Sequence, residues 1–85
     1  MALYESGDYA QAADQGQALL AGDPPYGALY YNVACFESQA GRTDAAIDHL
    51  RRAVELSPSL AELARDDDDL IALREHHDFA TIVGS

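Results

Sequence analysis

The sequence partly repeats itself when it is shifted by 34 residues. At this offset glycine falls on glycine, alanine on alanine, aspartate on aspartate, leucine on valine and proline on proline; the pairs are Gly7 and Gly41, Ala12 and Ala46, Asp14 and Asp48, Leu20 and Val54, and Pro24 and Pro58. Glycine and proline each impose a distinct backbone geometry. A period of this length is typical of chains that stack one small structural unit, and it therefore constrains the whole fold.

Within the second unit, helix signals follow one another in order. Gly41 suits the left-handed position that closes a helix. Thr43 is predicted to cap the next helix, with Asp44 in its first turn. An apolar stripe with helical spacing then predicts the buried face of that helix, which consists of Ala46, Ile47, Leu50, Ala53 and Val54. Asp48 and Arg52 are spaced to pair on its outer face, and Pro58 predicts that the helix ends near Ser57.

The first unit has the same order of signals. Asp8 is predicted to cap a helix that runs from about Tyr9 to Ala21. The stretch Gly22-Asp23-Pro24-Pro25 then breaks the chain, and the next helix is expected to start near Tyr26 or Gly27. Since no stretch alternates like a strand, the sequence predicts an all-α fold of consecutive helix-turn-helix units.

Composition limits the size and the partners of this domain. A chain of 85 residues forms one small domain, and its apolar fraction of 48%, in which alanine and leucine dominate, favours helices. The net charge is −10, with 15 acidic residues against five arginines, so nucleic acid and anionic membranes are disfavoured as partners. A single cysteine excludes an internal disulfide, and neither a signal peptide nor a membrane span is visible. We therefore expect a cytoplasmic location.

The stretch from Gly27 to Leu60 resembles the tetratricopeptide repeat (TPR) family. The residues that carry the resemblance are Tyr30, Val33, Ala34, Gly41, Ala46, Leu50, Ala53 and Pro58. Glu37 departs from the pattern, because a large apolar residue is usual there, and weaker packing is expected at that position. The resemblance implies antiparallel helix pairs stacked as a right-handed α-solenoid.

The resemblance also divides the chain into parts. Residues 27–60 form the complete repeat. Residues 1–26 form a partial first repeat, in which Leu3 takes an aromatic position and Gly16 takes a position where phenylalanine is usual. Residues 61–85 resemble the capping helices found after terminal repeats in bacterial proteins of this family. The apolar residues of the tail are expected to cover the exposed face of the last repeat; they are Leu60, Leu63, Leu70, Ile71, Leu73, Phe79, Ile82 and Val83.

The resemblance implies a non-catalytic scaffold that binds a partner protein segment in a concave groove. The groove positions are Tyr4, Glu5, Ala28, Tyr31, Asn32, Cys35, Ser38 and Gln39. None of them is basic, so a neutral or basic segment is expected rather than an acidic tail. The alternative is a structural capping or oligomerisation module of a larger protein, with a homodimer formed through the open N-terminal face. A third reading is a domain appended to an enzyme whose catalytic part lies elsewhere.

Three other features could carry chemistry, but each has a simpler interpretation. Cys35 is expected to be a small packing residue. His76 and His77 would diverge by about 100° on a regular helix, so they are not expected to share a metal. The run Asp66–Asp69 lacks the spacing of a calcium loop and is predicted to cap the helix that enters Leu70. The sequence thus predicts no catalytic residue, no metal and no cofactor.

Overall fold

The computed structural model describes residues 8–84, and every regular element within them is a helix. The elements are α1 (Asp8–Ala18), α2 (Gly27–Gln39), α3 (Thr43–Leu56), α4 (Leu60–Asp66), a 3-10 helix (Asp68–Leu73) and α5 (Phe79–Val83). The prediction of an all-α fold is therefore confirmed. Tyr4 and Glu5, which were predicted to line the groove, lie outside the described residues.

A Schellman turn joins α2 to α3. Gly41 has a φ of 83°, its N–H donates to the carbonyl of Ser38 at 3.2 Å, and the N–H of Arg42 donates to the carbonyl of Glu37 at 2.8 Å. These bonds confirm the left-handed position predicted for Gly41. Thr43 is not the cap, however: it is the first residue of α3, after Arg42, and no side chain caps this end. Backbone groups close the turn, and α3 begins at Thr43, one residue earlier than predicted.

Small residues allow α2 and α3 to pack closely as an antiparallel hairpin. Ala34, Ala46 and Ala53 are fully buried. Where α2 begins beside the end of α3, a Cβ atom on Gly27 would lie 2.8 Å from the Cβ of Ser57 and 2.9 Å from the carbonyl oxygen of Ala53. Only glycine fits this contact without movement of the backbone, because real Cβ atoms do not approach other atoms so closely.

A glycine also sets the packing of α1 against α2. A Cβ on Gly16 would lie 2.7 Å from Cγ2 of Val33, which explains why a small residue stands where the resemblance expects phenylalanine. The prediction that α1 continues to Ala21 is wrong. After Ala18 the chain forms tighter turns, in which the N–H of Leu19 bonds the carbonyl of Gly16 and that of Leu20 bonds Gln17, both at 3.0 Å. This tightening accompanies the burial of Leu20 in the core.

Residues 60–84, which we call the C-terminal segment, complete the core. Leu70, Leu73, Phe79 and Val83 are buried in one cluster with α2 and α3. Two other predicted core residues, Leu63 and Ile71, are instead 55% exposed, because the segment folds into short helices that turn these side chains outward. The prediction that the aspartate run caps a helix is confirmed: a side-chain oxygen of Asp67 accepts the N–H of Asp69 at 2.9 Å, although the helix that follows is a 3-10 helix.

We expect Gly27→Ala to lower the free energy of unfolding by about 1–3 kcal/mol, because the new methyl group pushes α2 away from the end of α3. Gly22→Ala is the matched control. A Cβ at Gly22 meets no atom within 4 Å, so its effect should stay within about 0.5 kcal/mol. Urea denaturation followed by circular dichroism measures both variants. Equal stability of the two would contradict the close approach of α2 and α3.

Candidate functional site

The face of α2 that was predicted to line an open groove is partly covered. Ala28, Asn32 and Gln39 are exposed, but Tyr31, Cys35 and Ser38 are 5%, 7% and 3% exposed. These three side chains are therefore buried within the folded chain, and the expectation that this face binds a partner stays a prediction.

The 3-10 helix of the C-terminal segment lies against this face of α2. The hydroxyl of Tyr31 donates to Oδ2 of Asp67 at 2.7 Å, and Nε2 of Gln39 donates to Oδ1 of Asp69 at 3.1 Å. These two bonds join residues that are 36 and 30 positions apart. The sequence carried a partial signal for this contact, since the apolar residues of the tail predicted a covering segment. The position of that segment over the groove was not predicted.

Among residues 8–84, a different concave surface is open, which we call the N-terminal cleft. It is a cavity of about 490 Å³ beside α1 and α2, and it is lined by Asp8, Gln11, Ala12, Gln15, Gly16, Leu19 and Phe36. Leu19 is 65% exposed. A second cavity of about 240 Å³ shares Phe36 and adds Tyr9, Gln39 and Asp69. An exposed apolar side chain beside a cavity of this size is a common feature of binding surfaces.

Ion pairs fix the helices that border the cleft. Arg42, in the turn between α2 and α3, binds Asp14 of α1 at 2.7 Å. The hydrogen bond from Arg42 lowers the pKa of the Asp14 carboxyl below its ordinary value. The cleft itself is lined by one carboxylate, that of Asp8, and by no basic residue. Its surroundings are therefore neutral to acidic.

The predicted pair between Asp48 and Arg52 does not form. Arg52 instead binds Oδ2 of Asp23 at 2.9 Å and Glu55 at 3.3 Å, while Asp48 is bound by Arg51. Asp23 also accepts the hydroxyl of Tyr30. Because two donors from α2 and α3 converge on Asp23, Arg52 turns away from Asp48 and fixes the loop that precedes α2.

Glu37 forms a buried pair in place of the weak packing that was expected there. Its side chain is 1% exposed, and its Oε1 lies 2.6 Å from Nδ1 of His49 on α3. The other oxygen, Oε2, is buried without a hydrogen-bond partner among the described residues. The bond to Glu37 raises the pKa of His49, whereas burial acts against that shift. A carboxylate at this apolar position is thus tolerated because an imidazole from the facing helix compensates it.

The thiol of Cys35 is not set up as a nucleophile. Burial, together with the negative charges of Asp67 and Asp69, raises its pKa to about 12. At neutral pH the group is therefore a thiol, whereas the thiolate is the reactive form. Cys35 is 7% exposed, as is expected of a packing residue.

The argument that His76 and His77 diverge is wrong, since the two residues lie in a turn and not on a regular helix. Their rings stack with centroids 4.7 Å apart, and ligand atoms of His76, His77 and Asp78 lie within 4.8 Å of one another. Nδ1 of His76 already accepts the N–H of Asp78, and Arg51 lies 3.3 Å from the Asp78 carboxylate. Local hydrogen bonds and a nearby cation thus already account for this cluster.

Comparison of this chain with protein-family models, with curated proteins and with solved structures finds no match in any of the three. The resemblance to the TPR family accordingly stays a prediction. Among residues 8–84, no helix combines the length and the apolar character that crossing a membrane requires.

The pair of Glu37 and His49 predicts how stability depends on pH. The pKa of His49 is raised in the fold, mainly by Glu37, with a smaller contribution from Asp48. Its contribution to stability is fully present below the unfolded pKa of about 6.5 and is lost as pH rises through the higher folded pKa. We therefore expect the free energy of unfolding to fall with rising pH across that interval.

Urea denaturation at a series of pH values tests this expectation, with Glu37→Gln as the variant and His77→Gln as the control. The Glu37 variant should weaken the decline because the amide attracts a protonated imidazole less strongly. The His77 side chain is 86% exposed, so its variant should retain the decline. If the free energy of unfolding of Glu37→Gln fell with rising pH as steeply as that of the wild type, the pair of Glu37 and His49 would not be its cause.

Proposed function

We propose that this chain is a non-catalytic protein-interaction module, built from TPR-like helix-turn-helix repeats, that binds a partner protein segment in the N-terminal cleft. The observation that carries the proposal is the cleft itself: about 490 Å³, lined by small and polar residues of α1 and by the apolar side chains of Leu19 and Phe36. Its volume falls within the range of pockets that hold a ligand. The antiparallel hairpin of α2 and α3, with buried alanines at Ala34, Ala46 and Ala53, supports the repeat assignment.

This binding surface differs from the groove that the family resemblance implied. The C-terminal segment contacts Tyr31 and Cys35, and Ser38 is buried as well. Gln39 stays exposed beside the smaller cavity, which shares Phe36 with the cleft. The proposed surface therefore runs from α1, past Phe36, toward Gln39.

Charge favours a basic or neutral amphipathic segment as the partner. The chain carries a net charge of −10. Asp8 borders the larger cavity and Asp69 the smaller one, and neither cavity is lined by lysine or arginine. Apolar side chains of a partner would enter the cleft while its basic residues face these carboxylates, because complementary charges favour association. An acidic tail or a nucleic acid would be repelled.

A specific observation also favours the structural alternative, a capping or oligomerisation module of a larger protein. The C-terminal segment buries Leu70, Leu73 and Phe79 against α2 and α3, whereas Leu19, which follows α1, is 65% exposed at the edge of the N-terminal cleft. An exposed leucine beside a cavity suits a second copy packing there, which is a homodimer through the N-terminal face. The same surface would serve a module appended to an enzyme domain.

Two synthetic helical peptides test the proposal. They share one leucine stripe and carry either lysine or glutamate at every polar position. We expect the lysine peptide to bind at least about ten-fold more tightly at low salt, with a difference that shrinks as salt is added. Amide chemical shifts should change along α1 and around Phe36. Equal binding of both peptides, or shift changes confined to other surfaces, would contradict the proposal.

Leu19→Lys and Leu63→Lys form a matched pair of variants for this experiment. Both leucines are exposed, at 65% and 55%, but only Leu19 lines the cleft. The Leu19 variant should weaken binding of the lysine peptide, and the Leu63 variant should not do so to the same extent. Sedimentation of the protein alone distinguishes the alternative: a dimer that Leu19→Lys dissociates would favour the oligomerisation module.

A further inference from the structure

The fold brings the one thiol of the chain against two carboxylates from a distant segment. Cys35 lies on α2, and Asp67 and Asp69 lie where the 3-10 helix begins. One ligand atom from each residue, the Cys35 sulfur and a carboxylate oxygen from each aspartate, lies within 4.8 Å of the other two. Cys35 is 7% exposed, and its thiol makes no hydrogen bond to any residue in the range 8–84. A buried thiol is common as a small packing group, but this one lies beside two carboxylates, which are potential ligands of the same metal ion.

Residues outside the cluster hold both carboxylates in place. The hydroxyl of Tyr31 donates to Oδ2 of Asp67 at 2.7 Å, and Nε2 of Gln39 donates to Oδ1 of Asp69 at 3.1 Å. Tyr31 and Gln39 each lie four residues from Cys35 on α2, one on either side. Metal-binding carboxylates are usually oriented in this way by hydrogen bonds from a second layer of residues. Both carboxylates are therefore already held beside α2, with Asp67 half-buried and Asp69 exposed.

The cluster concentrates negative charge without a compensating cation at its centre. Asp68 adds a third carboxylate next to the pair. Burial and the charges of Asp67 and Asp68 raise the pKa of the Asp69 carboxyl. Arg74 donates to the backbone carbonyls of Asp67 and Arg65, at 3.4 and 3.3 Å, rather than to these carboxylates. A bound cation would relieve this repulsion.

We propose that Cys35, Asp67 and Asp69 bind a divalent metal ion of the zinc class, with a water molecule as the fourth ligand. Zinc accepts a thiolate and carboxylates in tetrahedral geometry, with bonds of about 2.3 and 2.0–2.2 Å. These bonds separate neighbouring ligand atoms by roughly 3.5 Å, so the three groups need to close by no more than about 1.5 Å. Asp69 is exposed and can supply that movement. Calcium and magnesium are disfavoured because they prefer a shell of oxygen ligands.

Binding exchanges one proton for the metal. The S–H bond of Cys35 breaks, its proton goes to solvent, and the sulfur keeps the electron pair that forms the bond to zinc. Affinity should therefore rise with pH. Because the ligands come from α2 and from the C-terminal segment, the metal would fix that segment over the α2 face. Asp69 also borders the smaller cavity of the proposed binding surface, but a metal titration uses no peptide, so the site is tested independently of the proposed function.

Titration of the reduced protein with Co²⁺ tests the site directly, since a thiolate bound to Co²⁺ gives a charge-transfer band in the near ultraviolet. We expect this band in the wild type, its displacement by Zn²⁺, and its loss in Cys35→Ser. Absence of the band at saturating Co²⁺ in the wild type would overturn the proposal. A band that persists in Cys35→Ser would do so as well, because the chain has no other thiol.

Neighbouring aspartates supply a matched pair of variants. Asp69→Asn should weaken Zn²⁺ binding at least about ten-fold, as loss of a ligand or its orientation does. Asp68→Asn removes the same charge one residue away and should have a clearly smaller effect. His77→Gln removes a ring from the other cluster of potential ligands and should leave the Co²⁺ band intact. Equal effects of the Asp68 and Asp69 variants would show that the acidic surface attracts the metal ion without specific ligands. That result would overturn the proposal.

Discussion

The close contact between α2 and α3 is the constraint on which the rest of the structure depends. Gly27 and the three buried alanines allow the two backbones to approach, and Gly41 closes the turn between them. Once this hairpin is formed, each of its sides offers a packing surface for another element. One side receives α1 through Gly16 and Val33, and another receives the C-terminal segment. A larger side chain at Gly27 would therefore disturb the surface against which every other element packs.

The same hairpin places two buried ionisable residues of α2 beside different neighbours. Glu37 meets His49 of α3, so a carboxylate is buried with a partner that can share its charge. Cys35, two residues earlier, meets Asp67 and Asp69. Its thiol is therefore buried beside two carboxylates, which disfavour its ionised form. Two buried polar groups on one helix thus have opposite electrostatic environments. Burial alone explains neither; the identity of the facing residue decides whether a polar group is compensated.

The parts of the fold that the sequence predicts correctly are those set by local interactions. The left-handed Gly41, the start of α2, the apolar stripe of α3 and its end near Ser57 each depend on residues within one or two helical turns. One error arises where a distant residue competes. Arg52 binds Asp23 rather than Asp48 because Asp23 returns from a loop 29 residues away. No helical spacing contains that information, so an i, i+4 rule alone selects the wrong partner.

The candidate binding surface follows the same division. Helical periodicity correctly places Tyr31, Cys35 and Ser38 on one face of α2, but periodicity does not say which segment lies over that face. The 3-10 helix covers it because Leu70 and Leu73 gain burial there and the aspartates before them find donors in Tyr31 and Gln39. Because the C-terminal segment lies over this face of α2, a partner could contact the face only if that segment moved. Leu19, just after α1, is exposed instead and borders the N-terminal cleft. Interaction through α1 is therefore compatible with an intact core, whereas interaction through the α2 face would require displacement of Leu70 and Leu73.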